Sequence, residues 1–317
     1  VTVGEQDTAL ATEVARAFAL GGDAVLTGPV AGGRLGDIWR LETDRGVWAV
    51  KETRGELDVA EAEAQASYQE QVLAGGVPTP VVVRTPHGAV SAEVLGRRFR
   101  VGSWVDLRPR ERRLDPRAVG ELVARLHGVV VPGDGPVHFW YADPVTPARW
   151  RELVDRLERA GAPFVDRLAA LHDDLAEVAG LVAPHDPVQW CHRDLFSDNL
   201  LATTRGGLCV VDWDEAGPAD PSRELALLLL EFGCGQRDRT TALVRAYAEA
   251  GGPGRVRELE DFSMAVCVLT NITAEGCRRW LAASTEAERL DNAAWVAEYL
   301  DEPLTVRGLE QLLTWVR

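Results

Sequence analysis

The sequence predicts an α+β protein of two lobes, a small β-rich lobe over residues 1–106 and a larger helical lobe over residues 107–317. Three observations predict it. A chain of 317 residues is long for one small hydrophobic core. Residues 25–52 alternate apolar and polar side chains, the period of half-buried strands. From about residue 107 the pattern changes to long segments of helical period.

Each element follows from local pattern. EQDTALATEVARAFAL carries charges at helical spacing, so residues 5–20 are expected to form an amphipathic helix and not a secretory signal. In DIWRLETD, Ile38, Arg40 and Glu42 alternate against Trp39, Leu41 and Thr43; Asp44-Arg45-Gly46 turns the chain, and VWAVKE alternates again. Residues 57–74 read as a helix closed by Gly75-Gly76 and stopped by Pro78. TPVVVRT and AVSAEVLG read as a hairpin around His87-Gly88, and RRFRVGSWVDL as one more strand with an exit. Helices are then expected at 116–130, 147–160, 164–181, 221–232, 238–250, 255–283, 285–300 and 303–317. CHRDLFSDNLLATTRGGLCVVDWDE supplies short loops and short strands among them.

Composition narrows the classes of function. The longest apolar run, LALLLL at 225–230, falls well short of the roughly 18 residues of a membrane span, so a cytoplasmic protein without a membrane partner is expected. Five cysteines (191, 209, 234, 267 and 277) form no C-x-x-C pair and read as free, mostly buried thiols. A net charge of −15 with no basic patch argues against nucleic acid and favours a cationic small molecule.

The chemistry is concentrated in two segments. His192, Asp194 and Asn199 form H-x-D-x-x-x-x-N, and Asp212 follows the apolar strand 208–211. Phosphoryl transfer needs this layout: one carboxylate for the attacking hydroxyl, then an amide oxygen and a second carboxylate for Mg²⁺. Upstream, Gly28, Gly32, Gly33 and Gly36 lie between two strands, where backbone N–H groups can approach phosphates closely. Lys51, the only lysine in the chain, lies on the third strand. Walker A, G-x-G-x-x-G, G-x-S-x-G and H-E-x-x-H motifs are all missing from the sequence.

With these segments in view, the chain resembles the aminoglycoside phosphotransferase and choline-kinase-like family, relatives of the protein kinases. The resemblance runs through GGRLGDIWRLETDRGVWAVK, GGVPTP, RVGSWVDL, LVARLHG, HRDLFSDNLL and VVDWDEAGPADPSRELA. It implies a protein-kinase-like fold, ATP (or GTP) and Mg²⁺ as cofactors, and a small-molecule acceptor. By the same resemblance Asp194 is the catalytic base, and Asn199 and Asp212 are the metal ligands. Gly32, Gly33 and Lys51 contact the nucleotide phosphates, while the backbone of Ser103, Trp104 and Val105 reads the purine. His192 braces the metal loop, and Asp220 and Glu224 anchor it to the following helix.

The kinase template also calls for an acid on helix 57–74 to pair with Lys51. Glu61, Gln65, Tyr68 and Val72 share one helical stripe, which selects Glu61, with Glu63 as the alternative if the register differs. Two positions depart from the family pattern. Arg193 stands where glycine is frequent and reads as a salt-bridge partner of a nearby acid. Asp198 also replaces a usual glycine, with a turn cap, outer-shell Mg²⁺ binding or cationic substrate as its open roles. Candidate acids for an ammonium-bearing acceptor are Asp198, Asp214, Glu231 and Glu275.

Three functions stay open at this level. The first is a kinase of an aminoglycoside or related basic compound. The second is a kinase of choline, a sugar, an amino sugar or a biosynthetic intermediate. The third is a nucleotide-binding regulator without catalysis, against which the intact set of Lys51, Asp194, Asn199 and Asp212 argues. A monomer or homodimer is expected.

Overall fold

In the computed structural model, which describes residues 3–33, 36–53, 57–133, 135–184 and 187–317, the chain opens with helix α1 (Val3–Ala17). Strands β1 (Val25–Gly33), β2 (Gly36–Thr43) and β3 (Gly46–Thr53) follow, then helix α2 (Val59–Ala74) and strands β4 (Val82–Val83), β5 (Ser91–Val94) and β6 (Arg97–Ser103). Next come α3 (Pro116–His127), α4 (Phe139–Ala142), α5 (Pro147–Ala160), α6 (Val165–Ala170) and α7 (His172–Ala179). Short strands β7 (Gln189–Cys191), β8 (Leu200–Ala202), β9 (Leu208–Val210) and β10 (Gly217–Ala219) lead into α8 (Pro221–Gly233) and α9 (Arg237–Glu249). A 3-10 turn, Leu259–Phe262, precedes α10 (Ser263–Ala282), α11 (Glu286–Asp301) and α12 (Val306–Val316).

The chain divides into two compact units, Val1–Glu111 with Phe196–Ala216, and Arg112–Leu195 with Gly217–Arg317. This differs from a single boundary after residue 106. Residues 196–216 join the first unit because their backbone is tied there. The N–H of Val210 donates to the carbonyl of Pro78 at 2.9 Å, that of Arg108 to Ala202 at 2.8 Å, and that of Thr204 to Asp106 at 2.9 Å. Such pairings between distant segments leave no trace in a local period.

The sheet of the first unit runs β1-β2-β3-β6-β4, with β5 also on β6. Its apolar face packs on α1, where Leu10, Ala11, Val14 and Phe18 meet Leu41, Val50, Phe99 and Val101. The hairpin expected between 79–85 and 89–96 does not form. β4 and β5 instead lie end to end along β6, which takes Val82 opposite Gly102 and Ser91 opposite Arg100. The hairpin of this region joins β5 to β6 through Leu95 and Gly96, both with positive φ (52° and 74°), the backbone a tight two-residue turn requires. Helix α2 begins at Asp58, whose carboxylate accepts the N–H groups of Ala60 and Glu61, and ends at Gly75.

The second unit is mainly helical, with β7 and β10 paired antiparallel. Asp115 and Asp220 cap α3 and α8, each followed by a proline whose missing N–H costs nothing at a helix start. α3 and α9 approach closely at Gly120, where a Cβ would lie 2.4 Å from the Leu243 carbonyl oxygen. The expected helix at 164–181 is two helices, α6 and α7, broken at Leu171. The one expected at 255–283 begins only at Ser263, after the 3-10 turn.

Candidate active site

In the first unit, β3 carries Lys51 and the segment after β9 carries Asp212 and Asp214. Cross-strand pairing puts Val50 inward, fully buried, so Lys51 projects from the opposite face of the sheet. Its ammonium lies 2.7 Å from Asp212 Oδ1 and 2.7 Å from Asp214 Oδ2. Burial would lower the lysine's affinity for its proton, but the two carboxylates outweigh it and hold the amine above its ordinary value. For Asp214, burial pushes upward and Lys51 and Arg100 pull it below the usual carboxylate range. Both groups are therefore charged at neutral pH.

The expected partner of Lys51 was Glu61 or Glu63, and the structure corrects this. Glu61 lies in the first, exposed turn of α2. Glu63 and Glu70 both bond the guanidinium of Arg84. The buried stripe of α2 begins one residue later than Glu61, at Ala62, and continues through Gln65, Ala66, Tyr68, Gln69 and Val72. Gln65 therefore occupies the inward position, and its amide donates to the backbone carbonyl of Asp214.

The loop after β9 is fixed from several sides. Val211 donates its N–H to the Asn199 carbonyl at 2.8 Å. Trp213 is buried, donates Nε1–H to Thr79 Oγ1 at 2.8 Å and meets Tyr68 edge to face at 5.7 Å. Asp212 itself has φ of 57°, in the left-handed region that a β-carbon disfavours. Its side chain remains 35% exposed, while Asn199 is buried. An amide and a carboxylate oxygen, one with an open face, suit a hard divalent cation such as Mg²⁺.

Gly32 and Gly33 stand opposite Asp37 and Gly36 at the far end of the β1–β2 ladder. Of the three residues expected to read a purine, two already use their N–H groups. Ser103 donates to Val81 at 2.9 Å and Trp104 to Val47 at 3.1 Å. Among the described residues, Val105 is the one of the three whose N–H is not taken by a neighbouring strand.

In the second unit, the loop after β7 carries His192, Arg193 and Asp194. His192 is buried, and its Nδ1 lies 3.3 Å from the N–H of Asp194. Arg193 has φ of 68°, and its N–H donates to Glu224 Oε1. The guanidinium lies 4.3 Å over the ring of Tyr141 and against Gly217, where any Cβ would stand 2.6 Å from it. The guanidinium of Arg193, expected to pair with an acid, thus makes a cation–π contact that the sequence did not suggest. Glu224 Oε2 lies 2.7 Å from His127 Nε2, and His127 Nδ1 lies 2.8 Å from the Tyr247 hydroxyl. That hydroxyl accepts the N–H of Gly254 at 2.8 Å, so its own proton points to Nδ1 and His127 donates from Nε2 to Glu224. Burial pushes Glu224 upward, yet the hydrogen bond from His127, with His192 and the Arg193 N–H, holds it below the ordinary value. A buried, ionised glutamate thus pins the loop that carries Asp194. His127, read from sequence alone as a capping or packing side chain, is the group that supports it.

The acids proposed for a cationic acceptor fare unevenly. Asp214 is held by Lys51 and Arg100. Glu231 is paired with Arg112 at 3.2 Å, and Glu275 with Arg278 at 3.0 Å and Arg279 at 2.9 Å. All three are thus engaged in ion pairs. Asp198 is exposed.

The model of the phosphotransferase enzyme family matches residues 27–259. No curated protein matches the chain in sequence. An aminoglycoside phosphotransferase from Alicyclobacillus acidocaldarius has a similar structure, with a TM-score of 0.64 and 17% identity over 96% of this chain and 95% of that one. Spectinomycin phosphotransferase, solved with ADP and spectinomycin, superposes with a TM-score of 0.64 at 14% identity, covering 91% of this chain and 92% of that one. A microcompartment-associated aminopropanol kinase gives 0.58 at 15% identity, over 100% and 99% of the two chains. The fold is α+β and protein-kinase-like, with a sheet-bearing N-terminal part and a helical C-terminal part. With the lysine and acid sites lying inside the matched span, the chain belongs to the phosphotransferase enzyme family and is a phosphotransferase.

Proposed function

We propose that this enzyme transfers the γ-phosphoryl group of ATP, or of GTP, to a hydroxyl of a small molecule. The observation that carries the reading is the ion pair between the chain's single lysine and Asp212, 161 residues away in sequence, in a loop whose Val211 N–H donates to the Asn199 carbonyl. In this reading Lys51 binds the α- and β-phosphates, and Val105 offers its backbone to the base. Asn199 and Asp212 would hold Mg²⁺, which neutralises charge on the β- and γ-phosphates when bound. Asp194 orients the acceptor hydroxyl and takes its proton as the new O–P bond forms. The bond from the γ-phosphorus to the bridging oxygen breaks, and the nucleoside diphosphate leaves with that electron pair.

The acceptor is a small cationic alcohol. A net charge of −15 supports this by attracting cations. The relatives of like fold are named for spectinomycin, aminoglycosides and aminopropanol, all amine-bearing alcohols. An aminoglycoside is the first candidate. The commitment of Asp214, Glu231 and Glu275 to ion pairs favours the alternative of an acceptor with few amines, such as an amino alcohol, choline or an amino sugar. The test is nucleotide consumption against aminoglycosides, amino sugars and amino alcohols, with Asp194→Asn beside the wild type. Turnover should fall by a factor of about 10²–10⁴ in that variant while nucleotide affinity holds. Equal turnover of the two proteins would remove Asp194 from the chemistry.

A further inference from the structure

Lys51 and Arg100 are directly opposed across the β3–β6 ladder. Two like charges in that relation destabilise an antiparallel pair. Asp214 stands between them. Its Oδ2 is 2.7 Å from Lys51 Nζ, and its Oδ1 accepts from Arg100 Nη1. Its backbone carbonyl accepts the amide of Gln65 from the buried stripe of α2. This aspartate is held at both carboxylate oxygens and at its carbonyl, and its side chain is 20% exposed.

Asp212 is equally close to the lysine but differently placed. Its side chain is 35% exposed, and Lys51 is its one cationic partner among the described residues. It keeps an exposed face, whereas Asp214 is bonded at both carboxylate oxygens. No acid of α2 is available to take over. Glu61 is exposed, Glu63 and Glu70 are on Arg84, and the inward position is a neutral glutamine.

We infer that Asp214, braced by Arg100 and Gln65, is the positioning residue for Lys51, and that it keeps the ammonium in place when Asp212 turns to Mg²⁺. The inference rests on the roles proposed above for Lys51 and Asp212. Charge supports it. Lys51, Arg100, Asp212 and Asp214 sum to zero. Once Asp212 is committed to a divalent cation, the other three keep one net positive charge, which suits a polyphosphate. Without Asp214 two opposed cations would share no anion, and the flexible lysine stem would swing away. The glutamate that other kinases place on this helix is thereby replaced by an aspartate two residues after the metal ligand.

The single lysine makes a direct test possible. Acetylation by acetic anhydride, located by peptide mass spectrometry, reports on Lys51 alone besides the chain's amino terminus. In the nucleotide-free protein, Asp214→Asn should raise the acetylation rate of Lys51 at least about tenfold, as expected for loss of one charge-assisted hydrogen bond. Asp214→Glu, which keeps the carboxylate, should restore most of the protection, and Glu61→Gln should match the wild type. A urea midpoint for each variant separates loss of the clamp from loss of the fold. Equal rates in wild type and Asp214→Asn, or a faster rate in Glu61→Gln, overturn the inference. Calorimetric titration with ADP and Mg²⁺ should then show weaker binding by Asp214→Asn than by wild type. Failure of the wild type to bind either ADP or GDP overturns the nucleotide reading, while the acetylation rates still decide the role of Asp214.

Discussion

At the scale of single residues, the site depends on charges that burial alone would extinguish. Glu224 is fully buried and yet ionised, because His127 donates to one oxygen and the Arg193 N–H to the other. Its folded value lies below that of the unfolded chain, so its contribution to stability is complete above about pH 4.3 and is lost as the pH falls through the folded value. Glu224→Gln should cost about 1–3 kcal/mol at neutral pH, read from urea unfolding, because a buried charge-assisted hydrogen bond is lost. The gap between variant and wild type should narrow on acidification below about pH 4.3. Lys51→Arg tests a different property. Charge is kept, but a compact ammonium fits between Asp212 and Asp214 where a wider guanidinium with a fixed fork of donors does not. The variant should fold with a near-native melting temperature and lose most of its turnover in a nucleotide-consumption assay.

At the scale of elements, the positions that matter are set by register and by close approach. Helix α2 does turn inward the Gln65, Tyr68 and Val72 inferred to share a stripe with Glu61, but Glu61 itself lies in the exposed first turn. Tyr68 and Val72 were legible as inward residues, and they are buried. The exposure of Glu61 was not legible, because a helical period fixes which face is inward and not how far along the helix that face is covered. In the second unit, α3 and α9 meet at Gly120. In an open helical position, glycine to alanine stabilises by roughly 0.5–1 kcal/mol. Here a methyl group would press on the Leu243 carbonyl at 2.4 Å, so Gly120→Ala should instead destabilise by about 1–3 kcal/mol in urea unfolding. A stabilising effect would show that the two helices separate at little cost.

At the scale of the whole molecule, net charge is the property with a functional consequence. At −15 the protein attracts cations and repels anions over distances set by the Debye length. If the acceptor is cationic, its KM should rise several-fold between low and about 0.5 M sodium chloride, where the Debye length falls to a few ångströms. The KM of a neutral acceptor should change little over the same range. Measuring both on one enzyme preparation separates steering by the field from specific contacts in the acceptor pocket.

The sequence by itself determined the order of elements and the chemistry-bearing residues. Strand alternation, helix caps and the spacing of His192, Asp194, Asn199 and Asp212 are local properties, written within a few residues of one another. Tertiary structure alone decided which charges meet. Lys51 finds Asp212 and Asp214, Arg193 finds Tyr141, and Glu224 finds His127, each across more than thirty residues of chain in a partnership that no local period encodes. A side chain's partner is fixed by where strands pair and helices cross, and the loop after β9, not an acid of α2, supplies the counter-ions of the only lysine.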